Sequence, residues 1–424
     1  MMSIAIYTLG CKANQYDSAA MAARLAEAGH EIVAYGQEAD AVVINTCTVT
    51  GESDRKGRQM IRRARQQNPS ALLCVCGCMA QREAESLLRM GADLVLGTVE
   101  RMDIVLWLHR AMEQRGISGV RPFERAEVYE DAGGALMEHA RAFVKIQDGC
   151  DRRCAYCAIP LARGPVRSRR LDSIRQEMQA VADSGRHEAV LTGIRLTAYG
   201  QGMELTLADA VEAAAATDIS RIRLGSLDPD GVDEVFLSRA AATGKLCPHF
   251  HLSLQSGSDE VLRRMRRPYD TAVFAKTVKL IEKYFPEAAL TTDVMVGFPG
   301  ENDAAFEQTC LFVRRMGFSR LHVFPYSRRK DTPAAQMPEQ CSAQVKRQRV
   351  AALMAIGTEL EGDFYRSLEG KTRTVIWEQR NRDGLWEGHG EDYSLLRMTG
   401  ETEGPIQSVR VTEGKGDHAL TERS

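Results

Sequence analysis

The sequence predicts an α/β protein in three parts: an N-terminal doubly wound parallel-sheet domain, a central partial (β/α)6 barrel, and a small C-terminal antiparallel β-barrel. Three observations carry that expectation. Short apolar strands alternate with amphipathic helices over the first part of the chain, a second alternating series follows a charged connector, and the last part turns to short strands broken by Gly and Asp. A chain of 424 residues exceeds one ordinary core, and about three domains fits the usual domain size. The expected boundaries are 1–115, a linker over 116–135, then 136–367 and 368–424.

In the first domain, Ser3 to Leu9, Ala41 to Asn45, Ala71 to Val75 and Asp93 to Leu96 read as strands. The intervening helices are expected over Asp17 to Ala28, Ser53 to Arg65, Gln81 to Met90 and Arg101 to Glu113. Such alternation argues a parallel sheet covered on both faces. Charged Arg121 to Glu130 followed by Gly133-Gly134 reads as the connector. The second series places strands near Ala142 to Gln147, Ala189 to Thr192, Arg221 to Gly225, Phe250 to Leu254, Thr291 to Val296 and Arg320 to Phe324. Six units are too few for a closed eight-stranded barrel, so a partial barrel is expected, with its active face at the strand C-terminal ends. After a helical stretch ending near Leu368, Thr372 to Glu378, Leu385 to Gly388, Tyr393 to Met398 and Pro405 to Thr412 read as strands of the small barrel.

Hydrophobic residues make up 44% and charged residues 26%, the proportions of a soluble globular protein. There is no apolar run long enough to span a bilayer, and the start Met1-Met-Ser-Ile-Ala-Ile-Tyr7 lacks the basic residues of a secretion signal. A cytoplasmic protein with no membrane partner is expected. There the 11 cysteines would be reduced thiols, and the clustered ones point to metal binding or catalysis rather than disulfides. The formal net charge of -2 does not mark a nucleic-acid binder, so local patches must supply any RNA contact.

The most informative cluster is Cys150, Cys154 and Cys157, in the run Ile146-Gln-Asp-Gly-Cys-Asp-Arg-Arg-Cys-Ala-Tyr-Cys157. A C-x3-C-x2-C triplet holds a four-iron cluster by three corners and leaves the fourth iron open, whereas cages that only carry electrons usually supply four thiolates. A zinc site, or three unrelated buried cysteines, is the competing reading; zinc prefers four ligands from paired knuckles. In the first domain Cys11, Cys47 and Cys78 each lie just past a predicted parallel strand, about one strand-helix unit apart. Those strand ends share one edge of the sheet, where ligands bind, so the three thiols are placed to converge. Filling of buried sheet positions is the alternative, and Cys74 and Cys76, at strand spacing, fit it.

The runs Tyr7-Thr-Leu-Gly-Cys-Lys-Ala-Asn-Gln-Tyr-Asp-Ser18, Asn45-Thr-Cys-Thr-Val-Thr50, Gly77-Cys-Met-Ala-Gln81 and Gly297-Phe-Pro-Gly-Glu301, with the cysteine triplet, resemble the radical S-adenosylmethionine (SAM) methylthiotransferases across nearly the whole chain. The resemblance implies an N-terminal auxiliary-cluster domain, a radical SAM domain and a C-terminal TRAM domain. It further implies two 4Fe-4S clusters, one on Cys150, Cys154 and Cys157, where the open iron chelates SAM, and one on Cys11, Cys47 and Cys78, whose open iron takes sulfide. Cleavage of SAM would yield a 5'-deoxyadenosyl radical, able to attack an unactivated C–H bond on which acid-base chemistry has no purchase.

Thr8-Leu-Gly-Cys-Lys12, Ser53-Asp-Arg-Lys56 and Phe324-Pro-Tyr-Ser-Arg-Arg-Lys-Asp-Thr-Pro-Ala-Ala335 look like the branch acting on N6-threonylcarbamoyladenosine at tRNA position 37. The alternatives are an isopentenyladenosine-37 or ribosomal-protein methylthiotransferase, and a non-enzymatic RNA-binding iron-sulfur scaffold. Implied partners are the tRNA anticodon loop, an electron donor such as flavodoxin or ferredoxin, and an unidentified sulfur donor. Arg153 stands where the family commonly has an aromatic, and Ile194-Arg195 where it usually has Ile-Asn.

Tyr156 precedes Cys157, and Thr192, Gly193, Ser226, Gln255 and Gly297 fall at the ends of predicted barrel strands, the ligand-facing position of this architecture. They are the candidate SAM contacts, with core packing and tight turns as the alternative. Basic clusters at Arg62-Arg-Ala-Arg65, Arg163 to Arg170, Arg263 to Arg267 and Arg328-Arg-Lys330 are candidates for RNA, the second favoured because it follows the cysteine loop. Trp377, Trp386 and Tyr393, with Lys371 and Arg373, would stack unpaired bases or fill the terminal core.

Overall fold

The computed structural model describes residues 1–124, 128–131 and 141–423. The expected Gly133-Gly134 turn lies outside the described residues. The first sheet has six parallel strands in the order β2-β1-β3-β4-β5-β6, comprising β1 (Ser3–Thr8), β2 (Glu31–Val33), β3 (Ala41–Thr46), β4 (Leu72–Gly77), β5 (Leu94–Leu96) and β6 (Ile117–Ser118). Helices α1 (Lys12–Glu27) and α4 (Ile104–Glu113) bury Met21, Leu25 and Leu108 against one face. Helices α2 (Gly51–Gln67) and α3 (Cys78–Arg89) bury Ile61, Ala64 and Leu87 against the other. The edge strands β2 and β6 were not expected, because three and two residues carry no alternation to read. Helices α1 and α3 start earlier than expected, so that Cys11 caps α1 and Cys78 opens α3. The first turns of α1 bury polar Asn14 and Asp17, which hides the helical period from a hydrophobicity reading.

The central part begins with β7 (Arg141–Lys145), then β8 (Gln147–Asp148), α5 (Ile159–Arg163) and β9 (Arg167–Ser168), with β8 and β9 pairing antiparallel around the cysteine loop. There follow α6 (Leu171–Asp183), β10 (Glu188–Thr192), α7 (Leu207–Ala215), β11 (Arg221–Leu224), α8 (Glu234–Ala242), β12 (His249–Gln255), α9 (Asp259–Arg264), α10 (Thr271–Tyr284), β13 (Ala289–Val296), α11 (Asp303–Met316) and β14 (Arg320–Pro325). All six expected barrel strands are present. They form two parallel three-stranded sheets, β7-β10-β11 and β12-β13-β14, joined by the bridges Ile222↔Leu246 and Leu227↔Leu252. The barrel is left open between β7 and β14, and α1 lies beside β7.

Helix α12 (Ala343–Ser367) packs on β14 and leads into a closed barrel of β15 (Thr372–Arg380), β16 (Trp386–Gly390), β17 (Leu395–Met398), β18 (Ile406–Gly414) and β19 (Ala419–Arg423). The small barrel seals the N-terminal ends of the central strands. Arg221 donates to the Thr374 carbonyl at 2.9 Å, Arg223 to the Glu391 carbonyl at 3.0 Å, and Tyr393 stacks on His249 at 4.9 Å. The expected base-stacking face therefore needs correction. Tyr393 points into the central domain, Trp377 is buried and bonds Gln407, and Arg373 is paired with Asp392 inside the barrel.

A buried ionic cluster joins the first two domains. Arg101 and Lys145 each reach Asp17 at 2.5 Å, Arg163 reaches Asp148 at 2.8 Å and Asp17 at 3.2 Å, and Arg167 reaches Glu130 at 3.0 Å. Burial alone would raise the Asp148 carboxyl, but Arg163, Lys145, Arg167 and Arg101 outweigh it and hold it well below the ordinary carboxylate range. Its stabilisation is thus complete above the unfolded Asp value of about 4 and is lost as pH falls through the lowered folded value. Replacing Asp148 by Asn leaves buried cations short of a partner and is expected to cost about 3–5 kcal/mol at neutral pH. A lowered denaturant midpoint, with a flatter loss of stability on acidification than the parent, checks this.

Candidate functional site

Strands β1, β3 and β4 are neighbours in the sheet, so the residues past their C-terminal ends are brought side by side. Gly10 adopts a φ of +108°, and a Cβ there would lie 2.6 Å from the Cβ of Cys47. Only glycine lets the Cys11 turn approach Cys47 so closely. Asn14 braces both turns, donating to the Leu9 and Thr46 carbonyls at 2.7 and 2.9 Å. Burial pushes the Cys47 thiol up to about 11, and neighbouring Cys78 and Cys11 add to the rise. Burial also raises Cys78, while the Arg163 guanidinium opposes it. Cys74 and Cys76 are core residues, the latter against the Met21 sulfur at 4.0 Å.

The second triplet sits on the loop between β8 and α5. Gly149, with φ +73°, has the Pro165 carbonyl where a side chain would be, and Cys150 donates its N–H to the Gly164 carbonyl at 3.0 Å. The loop is pinned across the barrel by Ala155, which receives a hydrogen bond from Ala334 N–H at 2.8 Å and donates to the Met265 carbonyl at 2.9 Å. Burial pushes Cys150 up to about 11, with Cys154 adding, and Cys157 up to about 12, with Cys154 and Cys150 adding. The three thiols thus form one group.

Each triplet has one buried guanidinium aimed at one of its sulfurs. Arg163 Nε donates to Cys78 Sγ at 3.3 Å while its Nη1 grips Asp148 and its Nη2 reaches Asn14 and Asp17. Arg267 Nη1 donates to Cys154 Sγ at 3.3 Å and is fixed by Asp228 at 2.6 Å and the Tyr269 hydroxyl at 2.8 Å. A buried cation on a neutral thiol gains little, but on a cluster-bound thiolate it makes a charge-assisted hydrogen bond. Among the described residues no three His, Cys, Asp or Glu side chains are placed to hold a single metal ion. Three thiols with a guanidinium donor beside one of them are, in both places, a donor set that fits a cluster held by three thiolates. Sequence reasoning missed both arginines in this role, taking the runs that contain them for RNA-binding stretches.

The other candidates are distributed around the barrel rim. Tyr156 is half-buried beside Phe298, edge-on at 6.4 Å. Thr192 is buried at the end of β10, and Gly193 lies under Gln147, whose Oε1 accepts from the next two N–H groups at 2.9 and 2.7 Å. Gln255 ends β12 at φ 68°, and its Oε1 is buried with no hydrogen-bond partner among the described residues. Gly297 is covered by Lys346, and its N–H is bonded by Glu301. Ser226 is exposed into a cavity of about 730 Å³.

That cavity lies inside the open barrel and draws on all three parts: Cys11 and Lys12 from the first, Ser226, His251 and Asp293 from the second, Tyr393 from the third. Lys12, Arg223 and the histidines were not foreseen in it. Burial, then nearby Arg141 and Arg223, lowers the Lys12 ammonium, and burial holds His249 well below the ordinary histidine range, hence neutral. The favoured basic run needs a second correction: Arg163, Arg167 and Arg169 are buried in ion pairs, and Arg170 alone of its arginines is exposed.

Residues 3–97 match the family model described as Uncharacterized protein family UPF0004, and residues 144–313 match the Radical SAM superfamily. Two solved structures share the fold. The radical SAM methyltransferase TsrM from Kitasatospora setae has a TM-score of 0.59 at 15% identity, over 78% of this chain and 73% of that one. The cobalamin-dependent radical enzyme OxsB has a TM-score of 0.53 at 10% identity, over 85% and 56%. Fold and cysteine loop define a radical SAM enzyme, using SAM and 4Fe-4S chemistry. Threonylcarbamoyladenosine tRNA methylthiotransferase MtaB of Bacillus subtilis is 37% identical over 97% of this chain and 94% of its own length. The Thermotoga maritima MtaB is 34% identical over the same shares. The tRNA-2-methylthio-N(6)-dimethylallyladenosine synthase of Anoxybacillus flavithermus is 33% identical over 97% and 80%. The chain belongs to the radical SAM tRNA methylthiotransferases, enzymes that transfer a methylthio group.

Because the Gly149 backbone leaves no room for a side chain, Gly149→Ala is expected to shift the cysteine loop and cost at least about 1–3 kcal/mol. Limited proteolysis should cut first between β8 and α5 in this variant.

Proposed function

We propose that this enzyme converts N6-threonylcarbamoyladenosine at tRNA position 37 to its 2-methylthio derivative, with one 4Fe-4S cluster on Cys150, Cys154 and Cys157 and a second on Cys11, Cys47 and Cys78. The observation that carries the reading is the pair of thiol triplets, each with its own buried guanidinium at 3.3 Å, together with a cavity lined by both Cys11 and Ser226. Bound clusters and SAM supply the radical chemistry that an unactivated aromatic C–H bond requires. Tyr156, Thr192, Gly193, Ser226, Gln255 and Gly297 are proposed to surround SAM, Gln255 through its unpartnered carbonyl oxygen.

Lys12, Arg223, His249 and His251 line the cavity and offer a threonylcarbamoyl arm charge and hydrogen-bond partners that a dimethylallyl arm could not use. An anticodon loop offers its bases without opening a duplex, so adenosine 37 can enter the barrel from a loop seated on the surface. Exposed Arg62, Arg63, Arg170, Arg263 and Arg328 are the candidates for its phosphates. A flavodoxin or ferredoxin would deliver electrons.

Expression in a host deleted for its own threonylcarbamoyladenosine methylthiotransferase tests this directly. Mass spectrometry of digested tRNA should show the 2-methylthio nucleoside restored by the parent and absent with Cys154→Ala. Unrestored nucleoside with the parent, alongside methylthiolated isopentenyladenosine or ribosomal protein, would transfer the assignment to that substrate.

A further inference from the structure

We infer that Lys12 is the specificity-determining residue of a carboxylate subsite inside the barrel, binding the acid group carried on the N6 substituent of the target adenosine; this rests on the substrate reading above. Lys12 is the first residue of α1, directly after Cys11, and its side chain enters the barrel through the gap that α1 occupies beside β7. There it lies over the Phe143 ring, 5.8 Å from the centroid, and borders a second, adjoining cavity of about 290 Å³ with Arg141, Val190 and Glu378.

The arginines around it already have carboxylate partners, and among the described residues Lys12 does not. Arg223 holds Glu188 through two hydrogen bonds of 3.0 Å, Arg221 reaches the same carboxylate at 3.1 Å, and Arg141 pairs with Glu378 at 3.3 Å. Arg320 reaches Glu361 at 3.8 Å, and Asp293, the carboxylate lining the larger cavity, is 3.4 Å from His251. Among the described residues no carboxylate forms an ion pair with Lys12. An ammonium group in a protein-walled cavity, ringed by committed cations, is a site for an anion that comes with the substrate.

Geometry selects which anion. In adenine, N1 alone separates C2 from C6, so a ring presenting C2 toward Cys11 carries its N6 arm along the adjoining wall. Lys12 is the next residue on that wall. A threonylcarbamoyl arm ends in a carboxylate and a dimethylallyl arm in methyl groups, so the lysine discriminates between them by charge. An RNA phosphate is the other anion that could reach the ammonium, and the test separates the two.

The probes are anticodon stem-loop RNAs carrying either N6-threonylcarbamoyladenosine or the methyl ester of its threonine, which removes the charge and keeps the shape. Affinities are measured by anisotropy with anaerobically reconstituted enzyme, parent and Lys12→Met, after iron content and melting temperature have been matched. The parent should bind the acid loop about tenfold to a hundredfold tighter than the ester. Lys12→Met should abolish that gap by weakening the acid loop alone, and Lys12→Arg should recover part of it. Equal binding of both loops by the parent overturns the subsite, and needs no variant. Equal weakening of both loops by Lys12→Met also overturns it, because a phosphate contact or a charge balancing the neighbouring cluster would act on both. A parent that binds with the expected gap yet methylthiolates neither loop supports the subsite and overturns the proposed function instead.

Discussion

A buried ionic cluster centred on one guanidinium joins the first two domains of this enzyme. Arg163 stands at the end of α5, six residues past Cys157, and its side chain crosses into the first domain to reach Cys78 while Asp148 and Asp17 hold it. Among the described residues of that cluster, four cations (Arg101, Lys145, Arg163 and Arg167) meet three carboxylates (Asp17, Asp148 and Glu130). The surplus is positive and buried, and the Cys78 sulfur lies beside it, 3.3 Å from Arg163 Nε. Burial of so many charges is tolerable only with such mutual pairing, so the relative placement of the two domains depends on this cluster.

The same logic shapes the other boundaries. Arg329, on the loop after β14, is buried 2.5 Å from Asp54 and 2.7 Å from the Thr48 hydroxyl, tying the far side of the barrel to the residues that follow Cys47. Arg221 and Arg223 divide themselves between Glu188 and the carbonyls of the small barrel. Each domain interface thus includes arginines with several bonded donors, as Arg163 bridges Asp148 and the Cys78 sulfur and Arg223 bridges Glu188 and the Glu391 carbonyl. What these interfaces enclose is the barrel interior, reached by Cys11 from one side and by the C-terminal ends of the barrel strands from another.

Much of this was legible in the sequence, for physical reasons that can be named. The six central strands have strong apolar runs, and the thiols past β1, β3 and β4 follow from the repeat of the strand-helix unit. The first turns of α1 were not legible, because Asn14 and Asp17 are buried by partners distant in sequence, in the first domain as well as the second. The Arg163 to Arg170 run looked like a solvated or RNA-facing stretch, since a sequence shows the charges but not the partners, which for Arg163 lie as far away as Asp17. Tyr393 looked like a stacking platform for bases. Its positive φ of 68° turns it instead toward His249. Lys12 was legible only as part of the run Thr8-Leu-Gly-Cys-Lys12, because a missing partner is visible only in space.

The central claim is that two separate triplets, built on two domains, each hold a cluster. Iron counting on anaerobically reconstituted protein tests it most directly, comparing the parent with the triple variant Cys11→Ala, Cys47→Ala, Cys78→Ala. The account predicts about eight irons per chain falling to about four, the content of one four-iron cluster, with reductive SAM cleavage retained by the variant. An iron content unchanged by the triple substitution would contradict it.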